Sequence, residues 1–218
     1  DLARISGLPE IKRASAFHSL NQKAAARRAS HQLGKSYKEA NFVVAHLGGG
    51  ISVGAHERGR VIDTTHGLSE GAFTPERAGS LPTIDLLNLY FLGKFSREEL
   101  QKKLVGEGGL NAYLGTSDIK IIEKRISEGD KYASLIYEAM AYQIAKEIGA
   151  MSTVLKGCTD AIVLTGMLAN SRLLVDWIVE RVKYIAPVMV YPGEDEMETL
   201  NSGGLRVLRK EEEVMEYP

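Results

Sequence analysis

Three consecutive glycines, Gly48-Gly49-Gly50, stand between two apolar runs, with His46 just before them and Ser52 just after. Glycine accepts positive φ and lets a ligand approach the backbone closely. Successive N–H groups at such a turn form a nest that favours phosphate oxygens. The same glycines also suit a tight hairpin with nothing bound. No Gly-Lys-Ser/Thr follows, so this is not a Walker A loop, and no helix follows, so it is not a dinucleotide fingerprint. A second candidate is Gly166, between the apolar run Ala161–Thr165 and a helical stretch. Ligands of open α/β sheets sit at the carboxyl ends of strands near helix N-termini, although a plain strand-to-helix turn reads the same way. The third is Arg77, in the Gly- and Ser-rich loop Gly67–Pro82. A planar guanidinium there suits carboxylate or phosphate, or stays solvated at the surface. The fourth is His18 in Phe17-His18-Ser-Leu-Asn21-Gln22, which also suits a helix start. His31, His56 and His66 carry no such pattern, and Cys158 reads as a small packed residue. No cluster has zinc spacing, and no Gly-x-Ser-x-Gly elbow is present.

The elements that would position these residues follow from patterning. Gln22–Leu33 is Ala-rich and reads as a helix that Gly34 ends. Asn41–His46, Ile51–His56 and Arg60–Thr64 read as strands of an antiparallel meander, with Glu57-Arg-Gly59 as a hairpin turn. Thr65–Pro82 is a long loop, and long loops in compact domains usually carry function. Thr83–Leu92 reads as an apolar helix, and Ser96-Arg-Glu-Glu99 is a capping box that opens another, to about Val105. Gly106–Gly109 breaks it, and Asp118–Ser127 is a further helix. The longest helix spans Asp130 to about Leu155, with Tyr132, Leu135, Ile136, Ala139, Met140, Ile144, Ile148 and Met151 on one face. Strand Ala161–Thr165, helix Leu173–Ile185, strand Val188–Tyr191 and a helix from Glu196 to about Leu208 complete the order. A meander followed by β-α-β-α gives an α/β fold with a mixed sheet and flanking helices.

Composition narrows the function. The 218 residues carry 27 Lys+Arg against 28 Asp+Glu, a balance that argues against nucleic-acid binding. One cysteine cannot form an internal disulfide, so a reducing cytoplasm is expected. No apolar stretch approaches the about 20 residues of a membrane span. The chain opens on Asp1 without Met or an apolar leader, so a fragment, a processed product or a truncated piece is expected.

Taken in order, these features resemble the butyrate kinases, within the acetate kinase family of the actin/Hsp70/sugar-kinase superfamily. The resemblance rests on Ala3-Arg-Ile-Ser-Gly-Leu-Pro9, Phe17-His18 with Asn21-Gln22-Lys23, and Ala45-His46-Leu-Gly-Gly-Gly-Ile-Ser-Val-Gly54. It continues through Thr74-Pro-Glu-Arg77-Ala-Gly-Ser80, Ala145-Lys-Glu-Ile-Gly149, Leu164-Thr-Gly166 and Gly203-Gly-Leu-Arg-Val-Leu-Arg209.

The resemblance implies a ribonuclease-H-like mixed sheet, one half of a two-domain actin-like ATPase fold. Residues 1–40 would be a helical segment continuing from an upstream domain, 41–210 the nucleotide-binding domain and 211–218 a charged tail. It implies butyrate + ATP giving butyryl phosphate + ADP with Mg²⁺. Acetate, propionate or isobutyrate as the acid, or a nucleotide-binding module without catalysis, stand as alternatives. His18 and Arg77 would lie at the transferred phosphoryl group. His46, Gly48, Gly49, Gly50 and Ser52 would form the second phosphate loop. Thr165, Gly166 and Asn170 would form the adenosine turn. Glu194 or Glu196, in the Glu194-Asp195-Glu196 cluster, would face the metal. Acetate kinases carry a second His where Gln22 stands, and many relatives a second Gly where Met167 stands. The first phosphate loop and the acidic residue nearest the metal belong to the upstream domain. The chain alone is therefore expected to be inactive, and the intact enzyme to form a homo-oligomer.

Overall fold

The computed structural model describes residues 1–193 and 196–210, with the backbone alone at 196–199 and 202. Strands β1 (Asn41–Leu47), β2 (Ile51–Glu57) and β3 (Arg60–Thr64) form the expected meander. Arg58 and Gly59 take positive φ in the tight turn joining β2 to β3, a turn that matches the twist of a hairpin. Strands β4 (Ala161–Gly166) and β5 (Val188–Pro192) extend the sheet on the other side of β1. The order is β3-β2-β1-β4-β5. The pairs β1/β2 and β2/β3 are antiparallel, while β1/β4 and β4/β5 are parallel. This mixed α/β architecture is the fold class expected from the sequence.

Both faces of β1 are covered, so its apolar run is nearly continuous rather than alternating. Val43, Ala45 and Leu47 enter the larger core with Ile51, Val53 and Ala55 of β2. The long helix α6 (Lys131–Val154) fills that side with Met140, Ile144, Ile148 and Met151. Phe42 and Val44 point the opposite way, into a smaller core with Ala25, Ala26 and Ala29 of helix α1 (Ser19–Gln32). Alanines let this helix lie close to the sheet, so the segment before residue 41 shares the sheet's core. The tail 211–218 lies outside the described residues.

Two residues of the expected α6 face are corrected. Tyr132 and Leu135 are exposed, and Tyr137 is buried instead. Apolar spacing does not show which tyrosine finds a partner: the Tyr137 hydroxyl donates to Ser171 Oγ at 3.0 Å, so its polar tip is satisfied. Cys158 is also corrected: it is exposed, because the turn from α6 to β4 faces outward.

The connection from β3 to α6 holds α2 (Thr83–Phe91), α3 (Arg97–Leu104), α4 (Gly109–Leu114) and α5 (Ile119–Ser127). The Ser96–Glu99 capping box is present. Helix α4 is not legible from its glycines, which read as a breaker. Gly109 has φ +60°, and a Cβ there would lie 1.7 Å from the Thr74 carbonyl oxygen, so the glycine serves close packing. Helix α7 (Arg172–Val182) returns the chain to β5, and α8 (Glu196–Leu208) continues through Gly203-Gly204.

Candidate functional site

The site gathers at the carboxyl ends of β1 and β4. These strands are parallel neighbours, with His46 opposite Thr165. The glycine turn after β1 and the Gly166 turn after β4 therefore emerge side by side. A Cβ on Gly166 would meet the Leu47 carbonyl oxygen at 2.4 Å, and Gly166 has φ +93°, so only glycine allows this approach. Thr165 is buried at the strand end. The Asn170 side chain donates to the Met167 carbonyl at 2.9 Å and shapes the turn, while Ser171 caps α7 through the Leu174 N–H.

The glycine turn has a division of labour not apparent from its sequence. The Gly48 N–H donates to the Gly50 carbonyl at 3.1 Å and closes the turn, so it is not an outward donor. Among the described residues, the N–H groups of Gly49 and Gly50 have no partner. A Cβ on Gly49 would meet nothing within 4 Å, whereas one on Gly50 would lie 2.4 Å from Arg77 Nη1. Gly50 thus makes room for the guanidinium, and Gly49 faces open space.

Arg77 is held over the turn from both ends. Its backbone N–H donates to Thr74 Oγ1 at 3.0 Å, and that hydroxyl donates to the Gly49 carbonyl at 2.7 Å. Its Nη1 donates to the Gly67 carbonyl at 2.6 Å, and the Gly67 N–H donates to the Ala16 carbonyl at 2.8 Å. The loop therefore ties Arg77 to the segment that leads into His18. Nε and Nη2 of Arg77 make no hydrogen bond among the described residues.

His18 is half-buried and starts α1. Its ring stacks on that of His46, with centroids 3.8 Å apart and planes at 17°. His18 Nδ1 lies 2.9 Å from Ser52 Oγ. His46 Nδ1 lies 2.9 Å from Asn21 Oδ1, which accepts its hydrogen. Burial, with the nearby His18 as a second cause, holds His46 down at about 3, so the ring is neutral at pH 7.

Behind the site, Ser52, Gly54 and His56 share one face of β2 and look toward α1. His56 is fully buried rather than a bystander of the hairpin. Desolvation, reinforced by Lys23 and Arg27, holds it at about 3. It contacts Tyr37 OH at 2.8 Å and Gln22 Oε1 at 3.1 Å. The signal for it was strand alternation, readable only once α1 is known to cover that face.

The structure thus brings together His18, Arg77, His46, Gly48, Gly49, Gly50 and Ser52, with Thr165 and Gly166 adjacent and Asn170 in the next turn. Glu194 lies outside the described residues, as does the side chain of Glu196. Among the described residues, no three His, Cys, Asp or Glu side chains gather to hold a metal ion. No helix among them is long and apolar enough to cross a membrane.

The pattern of the Acetokinase family matches residues 10–209. The chain is similar to the acetate kinase of Porphyromonas gingivalis, with TM-score 0.86 and 22% identity over 95% of this chain and 60% of that one. It is similar to a propionate kinase of Francisella tularensis, with TM-score 0.79 and 23% identity over 91% and 59%. The acetate kinase of Entamoeba histolytica gives TM-score 0.81 and 20% identity over 94% and 62%. The chain spans about three fifths of the length of each.

Proposed function

The chain belongs to the acetokinase family, and on that premise we propose that it supplies one wall of the site of an ATP-dependent carboxylate kinase, with butyrate as the acid. A carboxylate oxygen attacks the γ-phosphorus of ATP. An O–P bond forms to give the acyl phosphate, and the bond from the γ-phosphorus to the β-phosphate oxygen breaks to release ADP. No general base is needed, because a carboxylate is ionised at pH 7.

The difficulty is electrostatic, since two anions must meet. Catalysis of phosphoryl transfer is chiefly positioning and charge stabilisation. The observation that carries this reading is the guanidinium of Arg77 seated against Gly50, with Nη1 anchored on the Gly67 carbonyl. That anchoring leaves Nε and Nη2 to face the transferred group. His18 is the second side-chain donor. The Gly49 and Gly50 amides hold the β- and γ-phosphates, and the Thr165–Asn170 turn receives the nucleoside. A magnesium ion supplies charge neutralisation when bound with the nucleotide. The described residues provide no acidic cluster for it, so Glu194 or Glu196 remains the proposed contact. The upstream domain of the longer relatives supplies the opposite wall, and the cytoplasm is the proposed compartment.

Butyrate is favoured over acetate, propionate and isobutyrate by the ordered motifs from Ala3 to Arg209. The test is hydroxamate trapping of acyl phosphate from Mg-ATP and each acid, using this chain joined to the N-terminal domain of an acetokinase relative. The highest kcat/KM is expected with butyrate. Preference for acetate would overturn the choice of acid. ATP binding without any acyl phosphate would favour a nucleotide-binding module instead.

A further inference from the structure

The buried polar groups behind His18 form a chain in which every hydrogen has one possible direction. Its anchor is the Ser52 carbonyl oxygen, which can only accept. Gln22 approaches it at 3.1 Å, so the amide nitrogen must face it, and this fixes the orientation of the whole amide. The same Nε2 lies 2.9 Å from Ser52 Oγ and donates there with its second hydrogen. Gln22 Oε1 is therefore turned toward His56 Nε2, which must carry a hydrogen. His56 is buried and neutral, so its Nδ1 bears the lone pair and accepts from the Tyr37 hydroxyl.

At the other end, Ser52 is fully buried, and its hydroxyl hydrogen needs an acceptor. Its neighbours are the Gln22 amide nitrogen and the His18 backbone N–H, both donors, and His18 Nδ1. The hydroxyl can donate only to Nδ1. In the neutral His18 ring the hydrogen is then left on Nε2.

We infer that the chain Tyr37–His56–Gln22–Ser52 sets His18 as its Nε2–H tautomer, which makes Gln22 a positioning residue of the site. Backbone space is reserved for it: a Cβ on Gly54 would lie 2.5 Å from Gln22 Oε1. Reversal would require an acceptor at the Ser52 carbonyl, where two acceptors would repel. The amide is suited to this place because it both donates and accepts. A carboxylate cannot donate, and an apolar side chain would leave Ser52 and His56 unsatisfied. With Nδ1 taken up by Ser52, Nε2 is the ring atom that would donate toward a developing charge. That last consequence rests on the proposed phosphoryl transfer, whereas the tautomer does not.

The test reads the tautomer directly, by long-range ¹H–¹⁵N NMR of the imidazoles in this chain without substrate. His18 and His56 are expected to show Nε2–H and an unprotonated Nδ1. Gln22→Glu should move His18 toward Nδ1–H or the imidazolium. In the joined enzyme it should lower kcat roughly tenfold or more, with a smaller change in KM for ATP. Ser52→Ala removes the donor to Nδ1, together with the acceptor for the second Gln22 hydrogen and the His18 N–H, and should raise the Nδ1–H population, which keeps the question answerable if Gln22→Glu fails to fold. Nδ1–H in the wild-type His18, or a tautomer unmoved by Ser52→Ala, would overturn the inference. Loss of the predicted kcat effect with the tautomer as expected would count against the proposed role of His18 in the reaction, not against the chain.

Discussion

Arg77 is half-buried against a residue with no side chain, which gives a sharp test of its role. Arg77→Ala should lower kcat by roughly 10²-fold or more, with a smaller rise in KM for ATP, as expected for a preorganised charge donor. Lys should replace it poorly, because an ammonium cannot bond Gly67 and also present a planar fork. Gly50→Ala should mimic these kinetics with Arg77 intact, since the new Cβ would sit where Nη1 lies, 2.4 Å away. Wild-type turnover in Gly50→Ala would separate Arg77 from the chemistry. Gly49→Val is the contrasting case. Its Cβ meets nothing within 4 Å, so thermal stability should hold while calorimetric affinity for ATP falls. An unchanged affinity would return Gly49 to an ordinary hairpin. At this scale the sequence announced His18, His46, Arg77 and the glycines by their types and order. It did not announce what each glycine is for. Gly48 spends its N–H inside the turn and Gly50 accommodates a side chain from a distant loop, contacts that no local pattern encodes. Thr74, which joins the Gly49 carbonyl to the Arg77 N–H, was visible only as part of a motif.

The parallel pair β1 and β4 carries the site because their ends can approach closely at Gly166. Gly166→Ala combines a left-handed φ of +93° with a Cβ 2.4 Å from the Leu47 carbonyl. Strain of that kind costs about 1–3 kcal/mol, and displacing the backbone adds to it. Chemical denaturation should show a loss of at least that size, with both turns displaced and nucleotide affinity reduced. Stability within about 0.5 kcal/mol of wild type would mean that β1 and β4 are not tightly coupled there. The strands, the two hairpin-forming turns and the long helix were legible, because period-2 and period-3.6 patterns and the Ser96 capping box are local. What was not legible depends on partners. Tyr137 is buried through its bond to Ser171, which lies outside its own helix. Helix α4 begins at a glycine that reads as a break until Thr74 is seen packed against it. Helix α2 is apolar in sequence, yet none of its residues is buried and Phe91 is 75% exposed, so its apolar character reports no core in this chain.

For the molecule as a whole, the two buried histidines couple the site to global stability. Both His46 and His56 are held at about 3, against an ordinary value of 6.5. Between those values the unfolded chain binds protons that the folded chain refuses, so stability must fall as pH falls. Each group contributes a slope of up to about 1.4 kcal/mol per pH unit in that window. Carboxylates add a separate effect lower down. Glu70, held below its usual range chiefly by its hydrogen bond to Arg13, contributes stability above its unfolded value and loses it on acidification. Burial raises Glu147, so its folded form takes up a proton earlier and opposes the trend near the carboxylate range. The histidine effect is therefore cleanest between pH 6.5 and about 5.5, above the carboxylates. Denaturation of this chain across that interval should show stability decreasing with acidity. His56→Gln should remove about one proton's worth of that slope, because glutamine keeps polar groups for Tyr37 and Gln22 but cannot titrate. The Lys23 and Arg27 charges that help to hold His56 neutral stay in place in that variant. Equal slopes in wild type and His56→Gln would mean that His56 opens to solvent before the chain unfolds. In that case the buried chain behind Ser52 would not be the rigid base on which the site stands.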